Sequence, residues 1–453
     1  MSPFLLGGSS RAIYYRLHSK DDLFTATHMN LSEIWIRIKQ HPLSRVGPGL
    51  VTGVADDDPS GIVTYSQAGA QFGLNMLWTM PFAYPLMSTI QVLCARIGRV
   101  TGRGLSANMK LAFPPVVLVT LVLLLLIANV LNIAADIAAM GEVAQLVTGV
   151  NWHIMTGIFV LLTLVLQILI PYRHYVFFLK WLSLSLLAYG AVLFTVHIPW
   201  GDVIWSTFLP QLTWSADSAA VVVGIFGTTI SPYLFFWQSS QEVEDMNLRG
   251  QPSLLEQNNP EIVTAELRRI HWDTWSGMLY SNVAAYCIIL ATAVTLHAAG
   301  IRDINTAAQA ASALRPLAGE FTFLLFALGI LGVGLMGVPV LAGSAAYALS
   351  EVFGWRSSLE DSATQASKFY AIITLSVLIA LAIQYSPISP MKALFWSAVI
   401  NGIVAVPLMV AIMVLSSKQS VMGAHVASLS MRILGWLATG FMAVAAAYLF
   451  IAW

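Results

Sequence analysis

Three consecutive aspartates, Asp56, Asp57 and Asp58, stand directly before Pro59, Ser60 and Gly61 in "GVADDDPSGIVTYSQ" (53–67), with apolar sequence on both sides. Carboxylates and carbonyls suit hard divalent cations, which take oxygen ligands. Pro59 lacks an N–H and clashes with the preceding turn. Ser60 and Gly61 add little helix propensity. The expected result is an unwound stretch whose freed carbonyls lie beside acids, the chemistry of a cation site. Neighbours on a helix point about 100° apart, so two of the three carboxylates face one pocket only if the chain is unwound there. A second interruption occurs in "GIFGTTISPYLFFWQSSQEVE" (224–244), at Gly227, Thr228, Thr229, Ser231 and Pro232. On its own this break reads equally as a site or as a kink between packed helices.

The elements that position these residues are membrane spans. The 453 residues are 57% hydrophobic and only 10% charged, against about 25% charged in soluble domains. Apolar runs long enough to cross roughly 30 Å of hydrocarbon recur throughout. Eleven spans are expected, near 48–73, 76–98, 114–148, 153–171, 176–198, 218–240, 275–299, 320–352, 369–385, 390–416 and 432–452. With the N-terminus inside, only Arg302, Arg315 and Lys392 of the 22 basic residues fall in outer loops. That bias puts the N-terminus in the cytoplasm and the C-terminus outside an inner or plasma membrane. The hydrophilic insert 241–274 is expected to hold a short amphipathic helix, and the outer loop 300–318 has helical composition.

An ionised carboxylate in hydrocarbon costs about 2.5–3.5 kcal/mol even on lenient scales, so the aspartates must face a protein-lined cavity. Irregular backbone at membrane depth has the same requirement. Spans 1 and 6 begin two halves of five and run in opposite directions. Paired broken spans of this kind mark the central site of a transporter. The fold class is thus an all-α membrane protein with a 5+5 inverted repeat. Residues 1–46 read as a cytoplasmic tail and 47–453 as one transporter domain, with repeats near 47–200 and 217–416 and an extra helix near 432–452. Net charge is zero, so nothing points to nucleic acid. Cys94 and Cys287 lie in apolar runs and suggest no disulfide framework. The nine histidines avoid spans 1 and 6, which argues against a central imidazole site.

The stretch "GPGLVTGVADDDPSGIVTYSQAGAQFG" (47–73) resembles the first helix of the natural resistance-associated macrophage protein (NRAMP) family of divalent-metal transporters, which carries Asp-Pro-Gly-Asn in the same frame and an Ala-Gly-Ala-Gln-Phe-Gly ending. "GTTISPYLFFWQS" (227–239) is similar to that family's sixth helix. The resemblance implies the leucine-transporter fold. It implies Asp58 as the metal-binding carboxylate and the carbonyls of Ala55 and Thr228 as further ligands. Gly61 stands where the family has a liganding asparagine, and Ser231 where it has methionine. Losing a thioether favours harder ions. An acidic pocket widened by Gly61 and Ser231 would suit a largely hydrated ion such as Mg2+. The pattern resembles the NRAMP-related magnesium transporter branch.

The family's sixth-helix histidines fall on Tyr233 and Gln238, and a proton-path acid on Asp136 of "NIAADIAAMGEVAQL". The next matched acid is Ala139, and Glu142 could replace it in part. Asp136 and Glu142 read equally as a proton path or as a satisfied polar pair between helices. Asp57 and Thr229 are expected to shape the hydrated surroundings of the ion. Asn401 and Gln67 would either reach the site or bond a neighbouring helix, and the Gly332–Pro339 run reads as close helix packing.

The expected function is alternating-access transport of Mg2+, with Mn2+ next. The alternatives are a proton-coupled Mn2+/Fe2+ importer and, remotely, an intramembrane aspartyl protease using Asp58 and Asp136. No resident cofactor is called for. The divalent ion is cargo, the bilayer is the surrounding partner, and a monomer is compatible with the design.

Overall fold

The computed structural model describes residues 47–170, 186–210, 215–252, 254–385 and 389–452. The expected cytoplasmic tail and the first part of the fifth span (176–185) lie outside the described residues. Among the described residues the chain is helical with no strand. In chain order the principal helices are α1 (Pro48–Ala55), α2 (Pro59–Phe72), α3 (Thr79–Thr101), α4 (Leu105–Ala112), α5 (Pro115–Thr148), α6 (Trp152–Leu169), α7 (Ala216–Thr229) and α8 (Pro232–Leu248). They continue with α9 (Pro260–Thr292), α10 (Thr322–Phe353), α11 (Ser367–Ile383), α12 (Pro390–Ser417) and α13 (Leu429–Ala452). Seven helical stretches among the described residues are long and apolar enough to cross a bilayer. On α6 the exposed Ile154, Ile158, Leu161 and Val165 recur at helical spacing, the outward apolar stripe expected of a lipid-facing helix.

Both expected breaks are present, and they share one local logic. After α1 the chain leaves the helix, and Asp58 takes up extended backbone (φ −70°, ψ 173°) as the N-cap of α2, with Pro59 in its first turn. Asp followed by Pro is a strong helix-start pattern, because the cap satisfies a free amide and proline needs no partner there. In the second break Ile230 departs from helix (φ −114°, ψ 56°). Ser231 is extended (φ −75°, ψ 130°) and Pro232 restarts α8.

Two close backbone approaches hold these halves in place. A Cβ on Gly53 of α1 would lie 2.2 Å from the carbonyl carbon and oxygen of Gly277 on α9. One on Gly227 of α7 would lie 2.1 Å from the Ala398 carbonyl oxygen on α12. At the start of α1, Asp273 of α9 accepts the Gly49 amide at 2.8 Å, where a negative group suits the helix dipole. Nearby, Arg269 pairs with the buried Glu242 at 2.5 Å and with Glu266 at 3.1 Å.

The insert 241–274 differs from expectation. Among the described residues the helix is not a short one of its own: α8 runs on to Leu248, and the charged piece is the first part of one continuous α9 from Pro260. Nothing between Pro260 and Thr292 interrupts the helix, since its only proline stands in the first turn.

Candidate metal site

Asp58 is 1% exposed, and its carboxylate is held by four donors. Oδ1 accepts from the Ser60 hydroxyl at 2.6 Å and from the Gly61 amide at 2.9 Å. Oδ2 accepts from Asn132 Nδ2 of α5 at 3.0 Å and from the Tyr233 hydroxyl of α8 at 3.3 Å. Gly337 of α10 backs it, since a Cβ there would lie 3.2 Å from the Asp58 Cβ and 3.9 Å from Asp136 Oδ2. The glycine run of α10 thus packs closely, as its sequence suggests, and it packs against the break itself.

The Tyr233 hydroxyl also lies 3.0 Å from the Ala55 carbonyl oxygen. It therefore touches both a carboxylate and a freed carbonyl of the first break. Across the gap, the Thr228 carbonyl accepts the Ser231 hydroxyl at 2.6 Å. Ser231 also reaches the Gly227 carbonyl at 3.0 Å. Each oxygen assigned to the ion already has an internal hydroxyl donor. The residues expected to line a wide pocket are closed in: Asp56, Asp57, Asp58, Thr228 and Ser231 are all buried. At Gly61, the space for a side chain meets Thr228 Oγ1 at 3.0 Å and the Tyr65 ring at 3.4 Å. Tyr65 and Thr228 close in where the sequence alone suggests room.

Asp57 shares the Ser281 hydroxyl of α9 with Asp56. Thr229 bonds back to the Ile225 carbonyl at 3.0 Å. Asp136 is buried beside Asp58 and the Ser60 backbone. Glu142 accepts the Ala307 amide at 2.9 Å, within the segment 300–318 read as an outer loop. Gln67 is likewise held there, accepting the Ile304 amide at 2.9 Å. Gln238 accepts the Thr52 hydroxyl and so ties α8 to α1. Asn401 is buried with both amide atoms unpartnered. Sequence reasoning missed Asn132, which joins Asp58 to Ser397 of α12 at 2.8 Å. The signal was available: Asn132 lies one helical turn before Asp136, on the same face. No cluster of three or more His, Cys, Asp or Glu able to hold a metal occurs among the described residues.

Residues 49–452 match the family model of natural resistance-associated macrophage protein-like chains. The chain belongs to this NRAMP family. It is a membrane transporter and not an enzyme, which sets aside the protease alternative. A relative from Acidiphilium cryptum, the divalent metal cation transporter MntH, is 25% identical over 398 residues, covering 85% of each chain. Among solved structures, the manganese transporter of Eremococcus coleocola superposes with a TM-score of 0.70 at 16% identity, covering 96% of this chain and 90% of that one. MhsT, solved with L-phenylalanine, follows at 0.58 and 14%, covering 90% and 98%. Together with the two broken helices, these likenesses establish the leucine-transporter-like fold of this NRAMP chain.

Tyr233→Phe removes the hydroxyl lying between the Ala55 carbonyl and the Asp58 carboxylate, which an ion held by both oxygens would have to displace. Metal affinity is expected to rise several-fold in equilibrium binding. The metal-free protein should lose about 1 kcal/mol of thermal stability with the hydrogen bond.

Proposed function

We propose that this NRAMP chain carries a hard divalent cation, Mg2+ or Mn2+, by alternating access through the gap between its two helix breaks. The observation that carries the reading is the shared Tyr233 hydroxyl, which touches the Asp58 carboxylate and the Ala55 carbonyl together. A cation bound to both oxygens would take that position. The Thr228 carbonyl, released by Ser231, would complete the oxygen set from the second break. The closed surroundings of Asp58 then belong to an occluded stage, and the gap must open for a hydrated ion to enter.

Two features bear on the ion. Ser231 and Gly61 offer neither thioether nor amide, and an all-oxygen set supports Mg2+. The second reading is a proton-coupled importer of Mn2+ or Fe2+; its metal is supported by the name of a similar solved structure, a manganese transporter. Asp136, buried beside Asp58, is the proton acceptor that reading requires; Asp57 and Thr229 are proposed to shape the surroundings of the ion. With the N-terminus inside, the Arg269–Glu242 contact closes the cytoplasmic side. Membrane potential alone can drive entry, since moving +2 inward across roughly 100 mV gains about 4.6 kcal/mol.

Uptake into proteoliposomes with Mg2+, Mn2+ and Ca2+ in competition, alongside an internal pH dye, tests the choice. Mg2+ uptake without acidification supports the first reading. Mn2+ uptake with acidification, unaffected by excess Mg2+, replaces it with the second. Ser231→Met restores the thioether and is expected to shift the Cd2+-to-Mg2+ uptake ratio toward Cd2+ at least tenfold, on order-of-magnitude grounds of ligand softness. An unchanged ratio removes Ser231 from the selectivity argument.

A further inference from the structure

We propose that the cleft where α4, the insert 241–274 and the chain just beyond α12 meet holds the headgroup of a phospholipid carrying phosphoethanolamine. The cleft has a volume of about 430 Å3, and Arg103, Lys418 and Glu256 all line it. Among the described residues no ion pair includes any of the three. Each is placed by its own element. α3 ends at Gly102, whose φ of 63° turns the chain. The Arg103 amide then donates to the Thr101 hydroxyl at 3.2 Å, and the Arg103 carbonyl accepts from Asn108 Nδ2 of α4 at 2.9 Å. The backbone is thus fixed while the residue stays exposed. Lys418 follows the last residue of α12. Its Nζ donates to the carbonyl of Ala112, the last residue of α4, at 3.3 Å and stands 5.9 Å from the centre of the Phe113 ring. An ammonium has three hydrogens, so two remain for a ligand. Glu256 Oε1 accepts the Ala424 amide at 3.0 Å, and a Cβ on Gly423 would collide with that oxygen. The second carboxylate oxygen remains for a ligand.

A phosphate diester bears a single negative charge, which a guanidinium and an ammonium bind well. Glu256 would repel a wholly anionic headgroup. It would instead receive the primary ammonium of ethanolamine, which only two carbons separate from the phosphate. Choline has no N–H to donate to it. The lipid source is argued from a separate observation. Leu111 and Leu254 line the same cleft, and Leu111 is 68% exposed. Beyond it, α5 carries the exposed Val116, Val119, Leu123 and Ile127 along one face, an outward apolar stripe that acyl chains cover. A soluble phosphate ester would leave this surface in water. The charged cleft and the apolar face adjoin where α4 passes into the span beginning near 114, the level at which headgroups lie. With the N-terminus inside, that level is the cytoplasmic leaflet.

The lipid site does not depend on which cation is carried. Native mass spectrometry of the delipidated full chain tests it, with phosphatidylethanolamine, phosphatidylglycerol and phosphatidylcholine of matched chains titrated in turn. The parent is expected to bind one ethanolamine lipid at least about fivefold more tightly than either of the others. Arg103→Gln combined with Lys418→Gln should weaken that binding about tenfold or more, since hydrogen bonds to charged groups are the strong ones. Glu256→Gln keeps an acceptor for the Ala424 amide and should abolish the preference over phosphatidylglycerol. Arg356→Gln removes a cation already bound to Asp361, and its affinity should stay within about twofold of the parent. Equal affinity of the parent for all three lipids overturns the proposal, as does a loss in Arg356→Gln equal to that in the double variant. An unchanged preference in Glu256→Gln overturns the headgroup assignment. Displacement of the lipid by an equal concentration of O-phosphoethanolamine overturns the lipid source and makes a soluble ester the ligand.

Discussion

Asp58→Asn is expected to lower divalent-cation uptake at least about a hundredfold, equivalent to roughly 2.7 kcal/mol of lost ion stabilisation. The substitution isolates charge from fold. Asparagine caps a helix about as well as aspartate, so the Gly61 amide keeps its acceptor and α2 keeps its start. The shape is nearly unchanged: Ser60 keeps its acceptor and the Tyr233 hydroxyl can turn to accept from the new amide, while the Asn132 amide loses its acceptor, a cost of about 1 kcal/mol. What disappears is the carboxylate charge at the point where the two breaks meet. Initial rates in proteoliposomes, together with a thermal midpoint close to that of the parent, give the expected pattern. Retained transport would remove Asp58 from the cargo path.

Gly53→Val is expected to be the most damaging change to the fold. A Cβ at this position would overlap the Gly277 carbonyl at 2.2 Å. Backbone atoms cannot swing aside as a side-chain tip can. Overpacking typically costs about 1–3 kcal/mol and occasionally more, and this case belongs at the upper end. Pushing α1 off α9 would also strain the Asp273–Gly49 and Thr52–Gln238 contacts. The thermal midpoint in detergent should fall sharply, or the protein should not elute as a single species. Gly157→Ala on α6 is the control, because nothing lies within 4 Å of its added Cβ, and its midpoint should match or slightly exceed that of the parent. Equal stability of the two variants would contradict close α1–α9 packing.

The breaks were legible because proline and its neighbours act locally. Asp58-Pro59 and Ser231-Pro232 each specify a helix start whatever the rest of the chain does. The need for a protein-lined surrounding was legible too, because three acids in hydrocarbon admit few solutions. The partners were not. The place of Asn132 one turn before Asp136 and the close packing of the α10 glycines were readable, but not that both meet at Asp58. Gly61 suggested open space, yet Tyr65 and Thr228 fill it from their own helices. Ser281 lies in a part of span 7 with no motif, and only the packing of α1 on α9 brings it to Asp56 and Asp57. The mistaken separate helix in the insert has a simpler cause. Composition turns polar where α9 leaves the membrane region, but the helix itself does not stop there.

The most direct test is anomalous diffraction from crystals soaked with Mn2+. A single central peak is expected between the two breaks, in contact with the Asp58 carboxylate and the carbonyls of Ala55 and Thr228, with the Tyr233 hydroxyl displaced from the Asp58–Ala55 pair. A central peak on Asp136 or Glu142 instead, with Tyr233 still bridging Asp58 and Ala55, would contradict the proposed cargo site.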